Sequence, residues 1–267
     1  MARGNRGLIA AGAAILVAIA TANAQSPPAE SAQDQRLAPI NLTGNWVAVV
    51  TEDWTERMLT PAKGDFASLP LNAAGQSAGK AWDQARETAA DACKAYGAPA
   101  LLRIPGRLQI DWVDAGATLR IQADAGEQTR RLHFTSGAPA GESGWQGYSA
   151  ASWEYANGFD PQRASSPVTG RRGNRGAPPT APQGGALKVV TTAFKPGYLR
   201  KNGIPYSKDA ALTEYFNVFS DPFGTDWMIV TTILHDPMYL TVDYITSTNF
   251  KREPDASKWH PEPCSLR

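Results

Sequence analysis

Two Asp-Ala-Gly tripeptides, at residues 114–116 and 124–126, are the feature that most restricts the fold of this chain. They separate three segments in which apolar and polar residues alternate: GRLQIDWV (106–113), ATLRIQA (117–123) and EQTRRLHF (127–134). Alternation with a period of two is typical of β-strands. Asp at a turn start, followed by a Gly that can adopt a positive φ, is typical of three-residue hairpin loops. The sequence therefore predicts three antiparallel strands in meander order.

Segments of the same kind occur on both sides of this meander. They are LTGNWVAVV (42–50), GWQGYSAASWEY (144–155), ALKVVTTAF (186–194), ALTEYFNVF (211–219), DWMIVTTIL (226–234) and MYLTVDYITSTNFKR (238–252). The predicted fold class is mainly β: an antiparallel meander of about nine strands that closes into a barrel, because closure removes exposed strand edges. Residues 72–96 have a helical composition, with Asn72 as a plausible N-cap, and predict a short helical insertion.

The N-terminal segment predicts export. Residues 1–24 combine Arg3 and Arg6, the apolar run LIAAGAAILVAIA and a small-x-small site at 22–24, which is the pattern of a signal peptide. The apolar run is shorter than the roughly 20 residues of a membrane-spanning helix. Residues 25–41 predict a disordered lead, 42–267 a single β-barrel domain, and 158–185 a flexible loop within it. We therefore expect a periplasmic or secreted protein with no membrane span.

The net charge of the chain bears on its possible partners, and its cysteines bear on the compartment in which it folds. The chain has 26 basic and 25 acidic residues, so that removal of Arg3 and Arg6 leaves a net charge of −1. Near neutrality argues against nucleic acid or an anionic membrane as a partner. The two cysteines, Cys93 and Cys264, predict a disulfide in an oxidising compartment. A catalytic or metal-binding thiol pair is the alternative.

The first predicted strand carries a possible family signature. Gly44-Asn45-Trp46 is similar to the Gly-x-Trp motif of lipocalins and related calycin barrels. The resemblance implies a lipocalin-like barrel in which Trp46 plugs one end and a basic residue of the last strand, Arg252 or Lys251, lies across its ring as a cation–π contact. An ordinary core tryptophan is the alternative. The segments PGYLRKNGIPYS and ITSTNFKR also resemble a group of uncharacterised exported bacterial proteins, which implies no activity.

Motifs of known chemistry are absent from the sequence: it has no Walker loop, GxGxxG, GxSxG, HExxH or CxxC pattern. We predict no cofactor and no metal. Glu214 is the best candidate for a charge that points into the barrel, because it shares a strand face with Leu212, Phe216 and Val218. Such a carboxylate needs an arginine partner or a ligand. In an apolar cavity its pKa would rise, and it would suit acid–base catalysis.

The remaining candidate residues fall into two groups. His133, Tyr148 and Glu154 join Glu214 as candidate catalytic residues, and Trp145, Trp153, Phe216 and Tyr215 are candidate ligand-binding residues. A predicted loop contains Tyr198, Arg200, Lys201 and Tyr206. These side chains either bind the polar end of a ligand or are only exposed surface residues.

Three functions fit this sequence. The first is an exported protein that binds a small hydrophobic or amphipathic molecule in a barrel cavity. The second is a lipocalin-like enzyme of the isomerase, hydratase or cyclase type that uses carboxylate, histidine or tyrosine groups in that cavity. The third is a structural role in the envelope, which a filled core would favour. The sequence predicts no oligomeric state.

Overall fold

The structure is a computed structural model that describes Met1 and residues 31–135, 144–161 and 181–266. The rest of the predicted signal peptide, residues 25–30 of the predicted lead, and residues 162–180 of the predicted flexible loop lie outside the described residues.

Strands dominate the described chain. They are β1 Gly44–Val49, β2 Arg107–Val113, β3 Thr118–Ala123, β4 Ala125–Gly126, β5 Gln128–His133, β6 Tyr148–Tyr155, β7 Gly185–Thr192, β8 Gly197–Arg200, β9 Ile204–Tyr206, β10 Ala211–Ser220, β11 Asp226–His235, β12 Tyr244–Glu253 and β13 Glu262–Pro263. The α-helices are α1 Ser31–Arg36, α2 Trp54–Met58, α3 Ala73–Ala81 and α4 Ala98–Leu101, and 3₁₀ turns occupy Gln84–Arg86, Ala89–Asp91, Lys94–Tyr96 and Asp114–Gly116.

Nine of the strands form a closed barrel in the order β1-β12-β11-β10-β7-β6-β5-β3-β2. They are the nine strands that the alternating segments predict, so the mainly β barrel is confirmed. Both Asp-Ala-Gly tripeptides make turns, and Gly116 and Gly126 have φ values of 91° and 77°. The first turn brings Val113 opposite Thr118, which sets the register of β2 against β3.

One pair of neighbouring strands in the barrel is parallel, where the sequence predicted an antiparallel meander throughout. β6 runs parallel to β5, with Leu132 opposite Ser149 and His133 opposite Ala150. A closed barrel with an odd number of strands cannot alternate direction at every step, so at least one parallel pair is unavoidable.

The helical insertion near residues 72–96 is confirmed as α3 followed by three 3₁₀ turns. The side chain of Asn72 caps α3 by accepting the backbone N–H of Gly75 at 2.9 Å. Gly75 is required by close packing, because a Cβ there would lie 2.5 Å from the carbonyl oxygen of Tyr239. The segment 197–206, which the sequence predicted as a loop, forms the hairpin β8–β9.

Residues 31–41, within the predicted disordered lead, have defined structure and contact the barrel. Trp153 Nε1 donates to the carbonyl of Asp34 in α1 at 3.0 Å, and Ile40 packs against the barrel core. The segment is therefore held to the barrel by one hydrogen bond to an indole N–H and by apolar packing. In the described parts of the chain, we find no helix with the length and apolar content that crossing a membrane requires.

Apolar side chains fill the barrel lumen. This cluster includes Trp46, Leu108, Ile110, Leu119, Ile121, Leu132, Leu187, Val189, Phe216, Met228, Val230 and Phe250. A second cluster covers the end of the barrel where β1 stops and β2 and β12 begin; it includes Leu71, Ala98, Phe194, Leu199, Ile204, Tyr206, Leu212, Leu234 and Leu240. The two ends of the barrel therefore differ, and each is described below.

Candidate functional site

Trp46 and Arg252 close the end of the barrel where β1 begins. Trp46 is fully buried, and its indole N–H donates to the carbonyl of Leu42 at 2.8 Å. The guanidinium carbon of Arg252 lies 4.1 Å from the centre of the Trp46 ring. Arg252 also donates to the carbonyls of Thr43 and Asn41. The structure thus has the contact that the lipocalin resemblance implies, and it leaves the opposite end as the place for a site.

Glu214 points into the lumen, as its apolar neighbours predict, and meets an arginine there. Arg130 donates from Nη1 and Nη2 to the two carboxylate oxygens of Glu214, at 2.9 and 2.5 Å. Both side chains are 0 % exposed. Thr191 accepts a further bond from Arg130 at 3.3 Å, and the hydroxyls of Thr191 and Ser149 lie 2.8 Å apart. Glu214 is therefore held in a paired, hydrogen-bonded network that crosses the lumen.

His133 and Tyr148 come together on the outer face of the barrel. Their rings stack with centroids 5.2 Å apart and planes 8° from parallel. The Nδ1 atom of His133 is 3.4 Å from the Thr118 hydroxyl, and Tyr148 donates to the carbonyl of Thr135 at 3.4 Å. Successive side chains of a strand point to opposite faces, so His133 points away from the lumen that holds its neighbour Leu132.

The other predicted residues are dispersed. Glu154 is half exposed on the outer face, 3.8 Å from Lys188. Tyr215 is also on the outer face, with the Lys188 ammonium 5.7 Å from its ring centre. Trp145 precedes β6 and lies under Lys195. Trp153 and Phe216 are packed into the lumen cluster, where Trp153 contacts the rings of Trp112 and Phe134.

These positions do not support acid–base catalysis by the four predicted residues. That mechanism needs two of the groups within hydrogen-bond reach in one cavity. Of the four, only Glu214 is inside the barrel, and both of its oxygens accept from Arg130. His133, Tyr148 and Glu154 lie on the outer face.

A cavity of about 150 Å³ lies at the barrel end opposite Trp46. Its wall comes from α2 and the residues after it, from the segment around α4, from β8 and from the start of β12. The apolar part of the wall consists of Met58, Leu59, Pro61, Leu69, Ala95, Pro99, Ala100, Ile104 and Leu199; the polar part consists of Glu56, Arg57, Thr60, Arg103, Arg200, Lys201 and Tyr244. The cavity thus combines an apolar surface with four cationic side chains.

Arg57 is the most deeply buried of these cations. Its side chain is only 3 % exposed. Nη1 donates to Glu52 at 3.0 Å and Nε to the carbonyl of Arg103 at 2.9 Å, but the buried Nη2 has no hydrogen-bond partner in the described structure. A buried donor without a partner costs about 1–3 kcal/mol. Burial, followed by the charge of Arg103, lowers the pKa of Arg57 below its ordinary value, and Glu52 and Asp53 oppose this only in part.

Arg103 ties the two acidic residues after β1 to the cavity wall. It donates from Nη1 to Glu52 at 2.8 Å and from Nη2 to Asp53 at 2.6 Å. Glu52 Oε1 therefore accepts hydrogen bonds from both Arg57 and Arg103. The carboxylates at this end of the barrel are part of the cavity structure, and the two arginines share them.

Arg200 and Lys201 belong to the segment for which the sequence left open a ligand contact or surface decoration. Both line the cavity. Arg200 donates to the carbonyl of Ala67 at 2.8 Å, and the Lys201 ammonium lies 5.1 Å from the ring centre of Tyr96 and 3.1 Å from the Ser265 hydroxyl. Ser265 follows Cys264, whose disulfide to Cys93 is present with 5.1 Å between the Cα atoms. The disulfide thus fixes the C-terminal tail beside the cavity.

The wall formed by α2 is thin. Trp54, Met58 and Leu59 are 66, 59 and 63 % exposed, so the helix buries little apolar surface. Its main anchor is the buried side chain of Arg57. Because so little apolar surface is buried, this part of the wall can move with little loss of packing.

Sequence reasoning did not find Arg57 or Arg103. The spacing of Arg57 from Glu52 was a local signal for an ion pair, but nothing local indicates that a polar five-residue helix buries its arginine. That burial depends on Arg103, which is 46 residues away along the chain. Comparisons with protein-family models, curated proteins and solved structures give no match. The function is therefore argued from the site alone.

Proposed function

We propose that this chain is an exported binding protein of lipocalin-like architecture, periplasmic or secreted, that holds a small amphipathic molecule in the cavity opposite Trp46. The observation that carries the proposal is the mixed wall of the cavity, in which apolar side chains such as Leu59, Ala100 and Leu199 stand beside four cations. Ligand sites are typically apolar hollows with a few well-placed polar groups. A cavity of about 150 Å³ matches a single aromatic ring or a short alkyl chain.

Two further observations support export. The N-terminal segment has the composition of a signal peptide. The pairing of Cys93 with Cys264 suits an oxidising compartment such as the periplasm.

The proposal moves the ligand from the lumen, where the sequence first placed it, to the end of the barrel. Phe216, Trp153 and the Arg130–Glu214 pair occupy the lumen, so ligand entry there would require several buried groups to be displaced. The cavity at the end requires no such displacement.

The test is an NMR titration of the mature protein, residues 25–267, with benzyl alcohol and with benzoate. We expect saturable shifts of the backbone amides of Leu59, Ala100 and Leu199, with the amide of Phe216 little changed. The variant Leu69→Trp replaces a leucine of the cavity wall by a bulkier indole and should abolish the shifts. Phe219→Trp places the same ring on a half-exposed position at the far end of the barrel and should bind like wild type. No saturable shift with either ligand would refute the proposal.

A structural role in the envelope is the second candidate, and the filled lumen favours it. It predicts no saturable binding in the same titration, and full stability of the protein when the cavity is blocked by Leu69→Trp.

A further inference from the structure

The Arg57 guanidinium is an incomplete site for an anion. Its side chain is 97 % buried, two of its three nitrogens have partners, and the third, Nη2, has none in the described structure. Arg57 is one of the residues that line the cavity. An acceptor supplied by a ligand would complete its hydrogen bonding.

Cations exceed carboxylates around the cavity. Arg57 and Arg103 share Glu52, and Asp53 pairs with Arg103. Arg200 has no carboxylate within 4.0 Å in the described parts of the chain, and it donates a hydrogen bond to the backbone carbonyl of Ala67. Glu56 is the one other carboxylate of the wall. An additional negative charge in the cavity would therefore be attracted.

We propose that the ligand of this cavity is a small amphipathic carboxylate whose head group accepts a hydrogen bond from Arg57 Nη2, with Arg200 nearer the mouth and the apolar part of the ligand against Leu59 and Leu199. This inference rests on the proposed function. A carboxylate has two acceptor oxygens in a plane, which match the planar donors of a guanidinium. A neutral or cationic head group provides no such match.

Binding involves a movement of the α2 segment. Nη2 is buried as well as unpartnered, so the head group reaches it only after part of the cavity wall shifts. The exposed side chains of Trp54, Met58 and Leu59 make that shift inexpensive. The carboxylate then takes a donor that no protein group of the described structure uses.

The test is isothermal titration calorimetry of the mature protein with three probes that share one ring: benzoate, benzyl alcohol and benzylamine. We expect benzoate to bind at least about tenfold more tightly than benzyl alcohol, as one charge-assisted hydrogen bond predicts. Benzylamine should bind most weakly. Arg57→Gln should reduce benzoate affinity to that of benzyl alcohol while changing benzyl alcohol affinity less than about twofold.

Three further variants separate the roles of charge, donor geometry and position in the calorimetric titration. Arg57→Lys should retain only part of the preference for benzoate, because it keeps the charge and loses the planar donors. Arg200→Gln, at a partly exposed position, should weaken benzoate by about two- to fivefold, and it serves if the Arg57 variants do not fold. Arg120→Gln removes an arginine on the outer face of the barrel, which pairs with Asp111, and should bind all three probes like wild type.

The outcomes separate this inference from the proposed function. If benzyl alcohol binds saturably and benzoate binds no more tightly, the carboxylate inference is overturned and the binding function stands. If none of the three probes binds, both are overturned. If benzoate is preferred equally by wild type and Arg57→Gln, the assignment of the head group to Arg57 is overturned.

Discussion

Removal of the carboxylate of Glu214 should destabilise the barrel strongly. In the variant Glu214→Gln, Arg130 remains charged and 0 % exposed, and its Nε has no hydrogen-bond partner in the described structure. Only the Thr191 hydroxyl, at 3.3 Å, and the neutral amide remain as acceptors. Breaking a buried ion pair from one side typically costs about 3–5 kcal/mol. For a domain of this size that corresponds to a fall in Tm of roughly 6–20 °C.

The assay is urea unfolding followed by tryptophan fluorescence, with thermal unfolding as a second measurement. The double variant Arg130→Met with Glu214→Leu is the matched control, because it removes both charges and keeps apolar volume in the lumen. It should be as stable as wild type or more stable, since the desolvation of both charges is avoided. A loss below about 1 kcal/mol for Glu214→Gln would contradict this expectation, because it would mean that the buried charge of Arg130 can lose its partner at almost no cost in stability.

Three further predictions concern the C-terminal tail, the end of the barrel closed by Trp46, and the helical insertion. The double variant Cys93→Ser with Cys264→Ser should lose about 2–5 kcal/mol in free energy of unfolding, because the disulfide links residues 171 positions apart; unchanged stability in urea would contradict this. Arg252→Gln should lose about 1–3 kcal/mol, through the ring contact and the bonds to backbone carbonyls, and a wild-type urea midpoint would count against the closed end described here. The backbone N–H of Thr88 holds the pKa of Asp91 at about 2, below the ordinary 3.8. The ionised Asp91 carboxylate therefore stabilises the folded state above pH 4, and this stabilisation is lost as pH falls toward 2. Asp91→Asn should flatten the pH dependence of unfolding in that window, and an identical pH profile would be the contrary result.

The strands could be predicted from the sequence because their signals are local. Alternation of apolar and polar residues marks each barrel strand, and Gly116 and Gly126 mark the two tight turns. The parallel pairing of β5 with β6 has no local signal. It follows from the closure of the barrel with nine strands, because an odd number of strands requires at least one parallel pair.

The inward direction of Glu214 was also local information, since Leu212 and Phe216 share its strand face. Its partner was partly visible in the sequence, because Arg130 shares a face with Leu132. What the sequence lacks is the distance across the lumen: Arg130 and Glu214 are 84 residues apart and meet only when the barrel closes. Whether Glu214 served catalysis or structure was therefore open until both residues were placed.

The cavity was the least predictable part of the molecule. Its residues come from five separate segments between Glu56 and Tyr244, and no segment has a recognisable binding pattern. Arg200 and Lys201 were noted only as residues that could hold a polar group. Arg57 was missed because its burial depends on contacts with Arg103 that only the folded chain provides.

The ligand that we propose for the cavity opposite Trp46 is a small amphipathic acid. This site is tested by intermolecular nuclear Overhauser effects between the ring protons of bound benzoate and the methyl groups of a protein that comprises residues 25–267. We expect contacts with the methyl groups of Leu59 and Leu199, which line the cavity. Contacts instead with Leu187 or Val189 in the lumen, or no contacts at saturating benzoate, would contradict it.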